Sequence, residues 1–226
     1  MWAPRRFRTY IFVLSLPLHL LGFCLFAQPL TSVQEKLCGA IRYPTISYND
    51  TAQVDWKAFD GFREFLEQAF PKVHQMLKRD IVGGHSLLFE WPGSDPQRKP
   101  MLVYAHQDVV PVETHEDDGW SHPAFGGEVS DGYIWGRGAL DTKSLIVAMM
   151  EAAEQLLAAG FSPAATIYFA FGHDEEVGGN SGASSIAQVL QNRGVQLGML
   201  LDEGLGVIQA AFSPTDPPVA LIGMAE

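Results

Sequence analysis

Met101-Leu102-Val103-Tyr104-Ala105, followed at once by His106-Gln107-Asp108, is the stretch whose reading decides the fold. A short apolar run bounded by turn residues is the pattern of a strand buried on both faces, as in a parallel sheet covered by helices. A second such run, Thr166 to Phe171, leads into Gly172-His173-Asp174-Glu175-Glu176. Between them, Ser144 to Ala159 places Leu145, Ala148, Met149, Ala152, Leu156 and Ala159 on one helical face, with Gly160 as a C-terminal stop. Strand, helix, strand in that order predicts a parallel crossover, and so an α/β domain with a largely parallel sheet flanked by helices.

Working outward, the spacing of Trp56, Phe59, Phe62, Phe65, Leu66 and Ala69 predicts a helix over 55–70 that ends at Pro71, its aromatic residues packing the core. Two short strands are expected over 73–79 and 85–91, divided by the Gly83-Gly84 turn signal, with loop over 92–100. A helix over 182–192, a third buried strand over 197–201 and a fourth over 219–224 complete the reading. No internal repeat or low-complexity tract breaks the chain, so residues 28–226 read as one folding unit.

Of the 226 residues, 47% are hydrophobic and 11% aromatic, enough for a packed core. The 26 acidic residues outnumber the 15 basic ones, and a formal charge of -11 repels phosphate backbones and excludes nucleic acid as a partner. Arg5, Arg6 and Arg8 precede a charge-free run from Thr9 to Gln28 that ends near the small residue Ala27. Residues 1–27 are therefore expected to be a signal peptide, or else an uncleaved anchor. The body is expected to be secreted, or membrane-anchored with a lumenal or extracellular body, and cleavage would leave no stable membrane association. Cys24 lies in this leader and Cys38 just after it, so a cleaved product has one thiol and no internal disulfide. Asn49-Asp50-Thr51 is an Asn-x-Thr acceptor.

Ligands of open α/β sheets bind beyond the carboxyl ends of the strands. The three apolar runs end there in His106-Gln107-Asp108, His173-Asp174-Glu175-Glu176 and Asp202-Glu203-Gly204. His106 and Asp108, two apart in an extended segment, share a side of the chain. Asp141 follows the Gly-rich Gly136 to Leu140 just ahead of the long helix. Carboxylates massed at one edge repel one another unless a cation sits among them, which points to a metal, and the numbers suit two. One His with several Asp and Glu suits zinc, and cobalt or manganese would also be accepted. A carboxylate left free of metal would act as general base, and the adjacent Glu175 and Glu176 can divide these roles.

The segments His106 to Pro111, Gly136 to Lys143, Gly172 to Gly179 and Leu201 to Gly204 resemble the di-zinc aminoacylase and carboxypeptidase superfamily. Their wording is closest to its carboxypeptidase S branch, which includes the N-fatty-acyl-amino-acid synthase/hydrolases. The resemblance implies a zinc exopeptidase-like catalytic domain in which His106 and Asp202 hold one zinc, Asp141 bridges both ions and Glu176 holds the other. It further makes Glu175 the general base and Asp108 the group that orients His106. It implies a hydrolase acting on amide or peptide bonds next to an amino-acid carboxylate, in N-acyl amino acids or short peptides, reversible in principle. The family takes a further zinc-binding His from a later segment, beyond an inserted lid or dimerisation domain. The chain is thus expected to be truncated before that domain, with dimerisation reserved for a complete chain. A non-catalytic zinc-binding remnant of such an enzyme is the alternative.

Other residues receive plainer readings. Asp174 and Glu203 match no metal position and are expected to meet solvent or backbone N–H groups. His85, His115 and His122 are expected in loops or at the surface, and His173 at a pocket wall. The Gly136 to Lys143 stretch lacks the Gly-Lys-Ser/Thr ending of a phosphate-binding loop.

Overall fold

The computed structural model describes residues 32–113, 119–204 and 215. The expected leader over 1–27, His115 and the strand expected over 219–224 lie outside the described residues. In chain order come helices α1 (Ser32–Ile41), α2 (Trp56–Ala69) and α3 (Pro71–Met76), and strands β1 (Lys78–Val82), β2 (Ser86–Trp91) and β3 (Met101–His106). A hairpin of β4 (Glu128–Ser130) and β5 (Tyr133–Trp135), helix α4 (Lys143–Ala158), strand β6 (Ile167–Gly172), helix α5 (Ala183–Asn192) and strand β7 (Met199–Leu201) follow.

Helix α2 starts where the Asp55 carboxylate accepts the Lys57 N–H, satisfying one of the donors a helix leaves open at its start. Its Phe59, Phe62 and Leu66 recur at helical spacing and are buried, as expected of core packing. Pro71 both ends that helix and opens α3, where a missing N–H costs nothing and a fixed φ favours helix. The strand expected from Val73 therefore begins only at Lys78, and residues up to Met76 are helical instead.

The main sheet runs in the order β1-β2-β6-β3-β7. Strands β6, β3 and β7 are mutually parallel, joined by the expected crossover through α4. Strands β1 and β2 meet each other and β6 antiparallel, so the sheet is mixed. Period-two alternation splits its residues between two helical layers. Leu87, Phe89, Val103, Ala105, Phe169 and Phe171 face α1 to α4. Leu88, Leu102, Tyr104, Tyr168 and Ala170 face α5.

Strand β7 departs from the burial expected of it. It pairs with β3 alone among the described residues, and Met199, Leu200 and Leu201 are 54%, 55% and 48% exposed. The β4–β5 hairpin turns on Asp131-Gly132, both at positive φ, as a tight type I′ turn demands. Since β3, β6 and β7 are parallel, their carboxyl ends share one edge. The Gly83-Gly84 turn joins them there, because β2 runs against β6 with Leu87 opposite Phe171.

Candidate metal centre

His106 is the last residue of β3, in register with Gly172 of β6 and fully buried. Its Nδ1 lies 2.9 Å from the Asp108 carbonyl oxygen, an acceptor, so that nitrogen carries a proton and Nε2 is the one turned to the carboxylates. Around Nε2 stand Asp141 Oδ1 at 2.9 Å, Glu203 Oε1 at 3.1 Å and Glu175 Oε2 at 3.7 Å. Ligand atoms of His106, Asp141 and Glu176 lie within 4.8 Å of one another, and so do those of His106, Glu175 and Glu203.

Asp108 sits beneath this group, fully buried. Its Oδ1 accepts the Glu175 N–H at 3.1 Å, and its Oδ2 accepts the Glu176 N–H at 3.1 Å and the Ser47 hydroxyl at 2.6 Å. Oδ1 is also 3.4 Å from His106 Nδ1. Glu175 and Glu176 lie in a short 3-10 turn that ends at Gly178, whose φ of 103° suits glycine. Asp141 ends the Gly-rich loop two residues ahead of α4, and its peptide to Thr142 is cis.

Crowded charge perturbs the groups here. Burial alone would lower the His106 pKa, but the hydrogen bond and charge of Asp108, with Glu203 and Glu175, raise it to about 10. Burial would raise Asp108, yet His106 and the Ser47 hydroxyl outweigh it and hold the carboxyl below its usual range. Burial and then the Asp141 charge push Glu176 up. Burial also pushes Glu203 up, His106 opposing and Asp141 adding to it. Among the described residues no Lys or Arg pairs with Asp141, Glu175 or Glu203. An imidazole whose Nε2 proton is held among carboxylates, with Glu176 and Glu203 pushed up, is a donor set that a divalent cation fits by taking the place of that proton.

The structure thus gathers His106, Asp108, Asp141, Glu175 and Glu176 at one place. Asp202 is not among them: it is exposed and lines an apolar cavity of about 390 Å³ with Leu102, Tyr104, Ile186, Leu190 and Leu200. Its neighbour Glu203, expected to meet solvent or backbone, turns to His106 instead. Asp174 accepts the Ser181 and Gly182 N–H groups at 2.7 and 2.8 Å, as expected of it. His173, nearly buried, is held by the Ser86 hydroxyl at 2.6 Å and lines a cavity of about 430 Å³ beside Asp174. His85 is no plain surface residue, for its ring stacks on Trp56 at 4.2 Å in the same cavity wall. His122 meets Glu128 at 3.0 Å in an exposed contact.

Fold and site together are those of an α/β metallopeptidase-type domain. The sequence profile of Peptidase family M20/M25/M40 matches residues 102–216, and the chain belongs to that family. It is 42% identical over 196 residues to the probable carboxypeptidase S-like 2 of Dictyostelium discoideum, covering 85% of this chain and 37% of that protein. It is 40% identical to N-fatty-acyl-amino acid synthase/hydrolase PM20D1 of Xenopus tropicalis, with the same two coverages. Against carboxypeptidase S of Saccharomyces cerevisiae the identity is 41%, over 77% of this chain and 32% of the relative. The chain thus spans about a third of the length of these curated relatives. Among solved structures, the M20 family metallo-carboxypeptidase of Sulfolobus solfataricus shares the fold with a TM-score of 0.61 at 21% identity, over 79% of this chain and 38% of that one. Human carnosine dipeptidase 1 does so with a TM-score of 0.60 at 20% identity, over 79% and 40%.

Proposed function

We propose that this chain carries the greater part of the two-zinc centre of a secreted hydrolase that cuts amide bonds next to an amino-acid carboxylate, in N-acyl amino acids or short peptides. One observation carries the reading: the Nε2 of His106 is faced by Asp141, Glu175 and Glu203 while its Nδ1 is tied to the Asp108 carbonyl. The substrate class rests on the names of the relatives above.

In this reading His106, Asp141, Glu176 and a carboxylate from the Asp202-Glu203 pair would hold the zinc ions. Zinc, or cobalt or manganese in its place, supplies Lewis acidity and positive charge when bound. Glu175 stands farthest from the imidazole of the three carboxylates facing it, with its backbone pinned to Asp108. It takes the proton of the attacking water and returns it to the departing amine nitrogen. Asp108 keeps His106 in one tautomer and both glutamates in register. Run in reverse, the same proton transfers condense an acyl donor with an amino acid.

The test is elemental analysis of the purified chain, alongside hydrolysis of an N-acyl amino acid with zinc or cobalt added. Metal uptake that Asp141→Ala abolishes, with release of free amino acid, supports the reading. Uptake without turnover favours a non-catalytic zinc-binding chain. No uptake sinks both.

A further inference from the structure

We infer that Ser47 is a positioning residue of the metal centre, its hydroxyl fixing the Asp108 carboxylate that holds the backbones of Glu175 and Glu176 and lies beside the His106 ring. The inference rests on the metal-centre reading above and extends it to a part of the chain outside residues 102–216.

The segment after α1 is stitched to the loop that follows β3. Ile46 bridges Val109 in parallel, the Val109 N–H donates to the Thr45 carbonyl at 3.0 Å, and the Ser47 N–H donates to the Val109 carbonyl at 3.3 Å. The Thr45 hydroxyl donates to the Gln107 carbonyl at 2.6 Å. This register sets Ser47 against Asp108 across 61 residues of chain. From the other side, the buried Lys143 ammonium donates to the Ala40 and Tyr43 carbonyls at 3.1 and 2.5 Å. Lys143 opens α4 two residues after Asp141. The same short segment therefore braces the loop of Asp108 and the loop of Asp141.

The Asp108 side chain accepts the Glu175 and Glu176 N–H groups at 3.1 Å and lies 3.4 Å from His106 Nδ1, and the Ser47 hydroxyl at 2.6 Å is its shortest contact among the described residues. A hydroxyl 2.6 Å from a fully buried carboxylate is a strong, charge-assisted donor. Without it Oδ2 keeps only the Glu176 N–H, and a buried carboxylate short of a donor turns to find another. The amides of Glu175 and Glu176 then lose their common anchor and the carboxylate beside His106 Nδ1 shifts, while the ring keeps its bond to the Asp108 carbonyl. Loss of such an outer partner weakens metal binding by about 10- to 100-fold.

The experiment compares Ser47→Ala and Ser47→Thr with the parent 226-residue chain. Amide hydrogen exchange at Glu175 and Glu176 is followed without metal, and zinc affinity by competition with a chelator. Ser47→Ala is expected to exchange about tenfold or more faster at both amides and to bind zinc about 10- to 100-fold more weakly, with Ser47→Thr restoring both. In an Asp108→Asn background, Ser47→Ala should add little to the loss. Should Ser47→Ala fail to fold, Ser47→Cys, a near-isosteric weaker donor, should give intermediate values. Unchanged exchange and affinity in Ser47→Ala overturn the role of Ser47 and leave the metal centre standing. A parent chain that binds no zinc overturns the metal reading itself, whatever the exchange shows.

Discussion

Replacing Glu175 by Gln separates base from ligand. The substitution keeps size and shape, and the Glu175 N–H still donates to Asp108, so the 3-10 turn and the neighbouring Glu176 stay in place. Glu175 Oε2 is 3.7 Å from His106 Nε2, against 2.9 Å for Asp141 and 3.1 Å for Glu203, so the amide withdraws the most distant of the three carboxylates. Metal content should therefore change little. A positioned general base contributes about 10²- to 10⁴-fold, or about 2.7–5.5 kcal/mol of barrier, and turnover should fall by that factor. The assay pairs elemental analysis of dialysed protein with the rate of amino-acid release from an N-acyl amino acid at saturating zinc. Glu176→Gln, measured beside it, should lose metal. If Glu175→Gln strips the metal and Glu176→Gln keeps it, the roles are reversed. If Glu175→Gln retains full turnover, no base function resides there.

Asp202→Asn and Glu203→Gln should differ: the variant that weakens zinc binding more, read by chelator competition, identifies the ligand, and the position of Glu203 against His106 puts the larger loss there. Gly172→Ala should destabilise by about 1–3 kcal/mol through overpacking, since its Cβ would lie 2.0 Å from the Tyr104 hydroxyl; an unchanged thermal midpoint would contradict this contact. Lys36 and Glu151 join α1 to α4 at 2.6 Å. Burial would raise the Glu151 carboxyl, but hydrogen bonds from Lys36 and Gln155 hold it below its ordinary 4.5. A depressed carboxyl stabilises above that ordinary value and loses the contribution as pH falls through the lowered one. Glu151→Gln should thus cost about 1–3 kcal/mol in urea unfolding at pH 7, with the difference vanishing in acid well below pH 4.5; a pH-independent difference would argue against the ion pair.

Strands β3 and β6 are legible in the sequence because a strand covered on both faces must be apolar throughout, and α2 and α4 because one buried face imposes helical spacing. The start of β1 is hidden because Pro71 signals a helix stop, although the same ring that ends α2 suits the first turn of α3. Apolar composition at β7 says nothing of its neighbours, and the strand lies at the edge of the described sheet. The hairpin of β4 and β5 carries a signal in Asp131-Gly132, and α1 carries one in the spacing of Val33, Leu37 and Ile41. His106, Asp108, Glu175 and Glu176 stand out because they sit just past apolar runs, and Asp141 because it closes a Gly-rich stretch ahead of α4. Ser47 does not, because its partner is remote in sequence. Whether Asp202 or Glu203 turns inward depends on a single residue of strand phase, which composition does not carry.

The alternation of β3 between two helical layers has a practical reach. A one-residue slip of this strand would send Val103 and Ala105 to the wrong layer and carry His106 away from Asp141 and Glu203. A chain refolded in the wrong register would then be blind to zinc even with its secondary structure intact. In the proposed reading, zinc uptake by elemental analysis would sort correctly threaded molecules from their misregistered siblings, making the centre a checkpoint for the sheet that builds it.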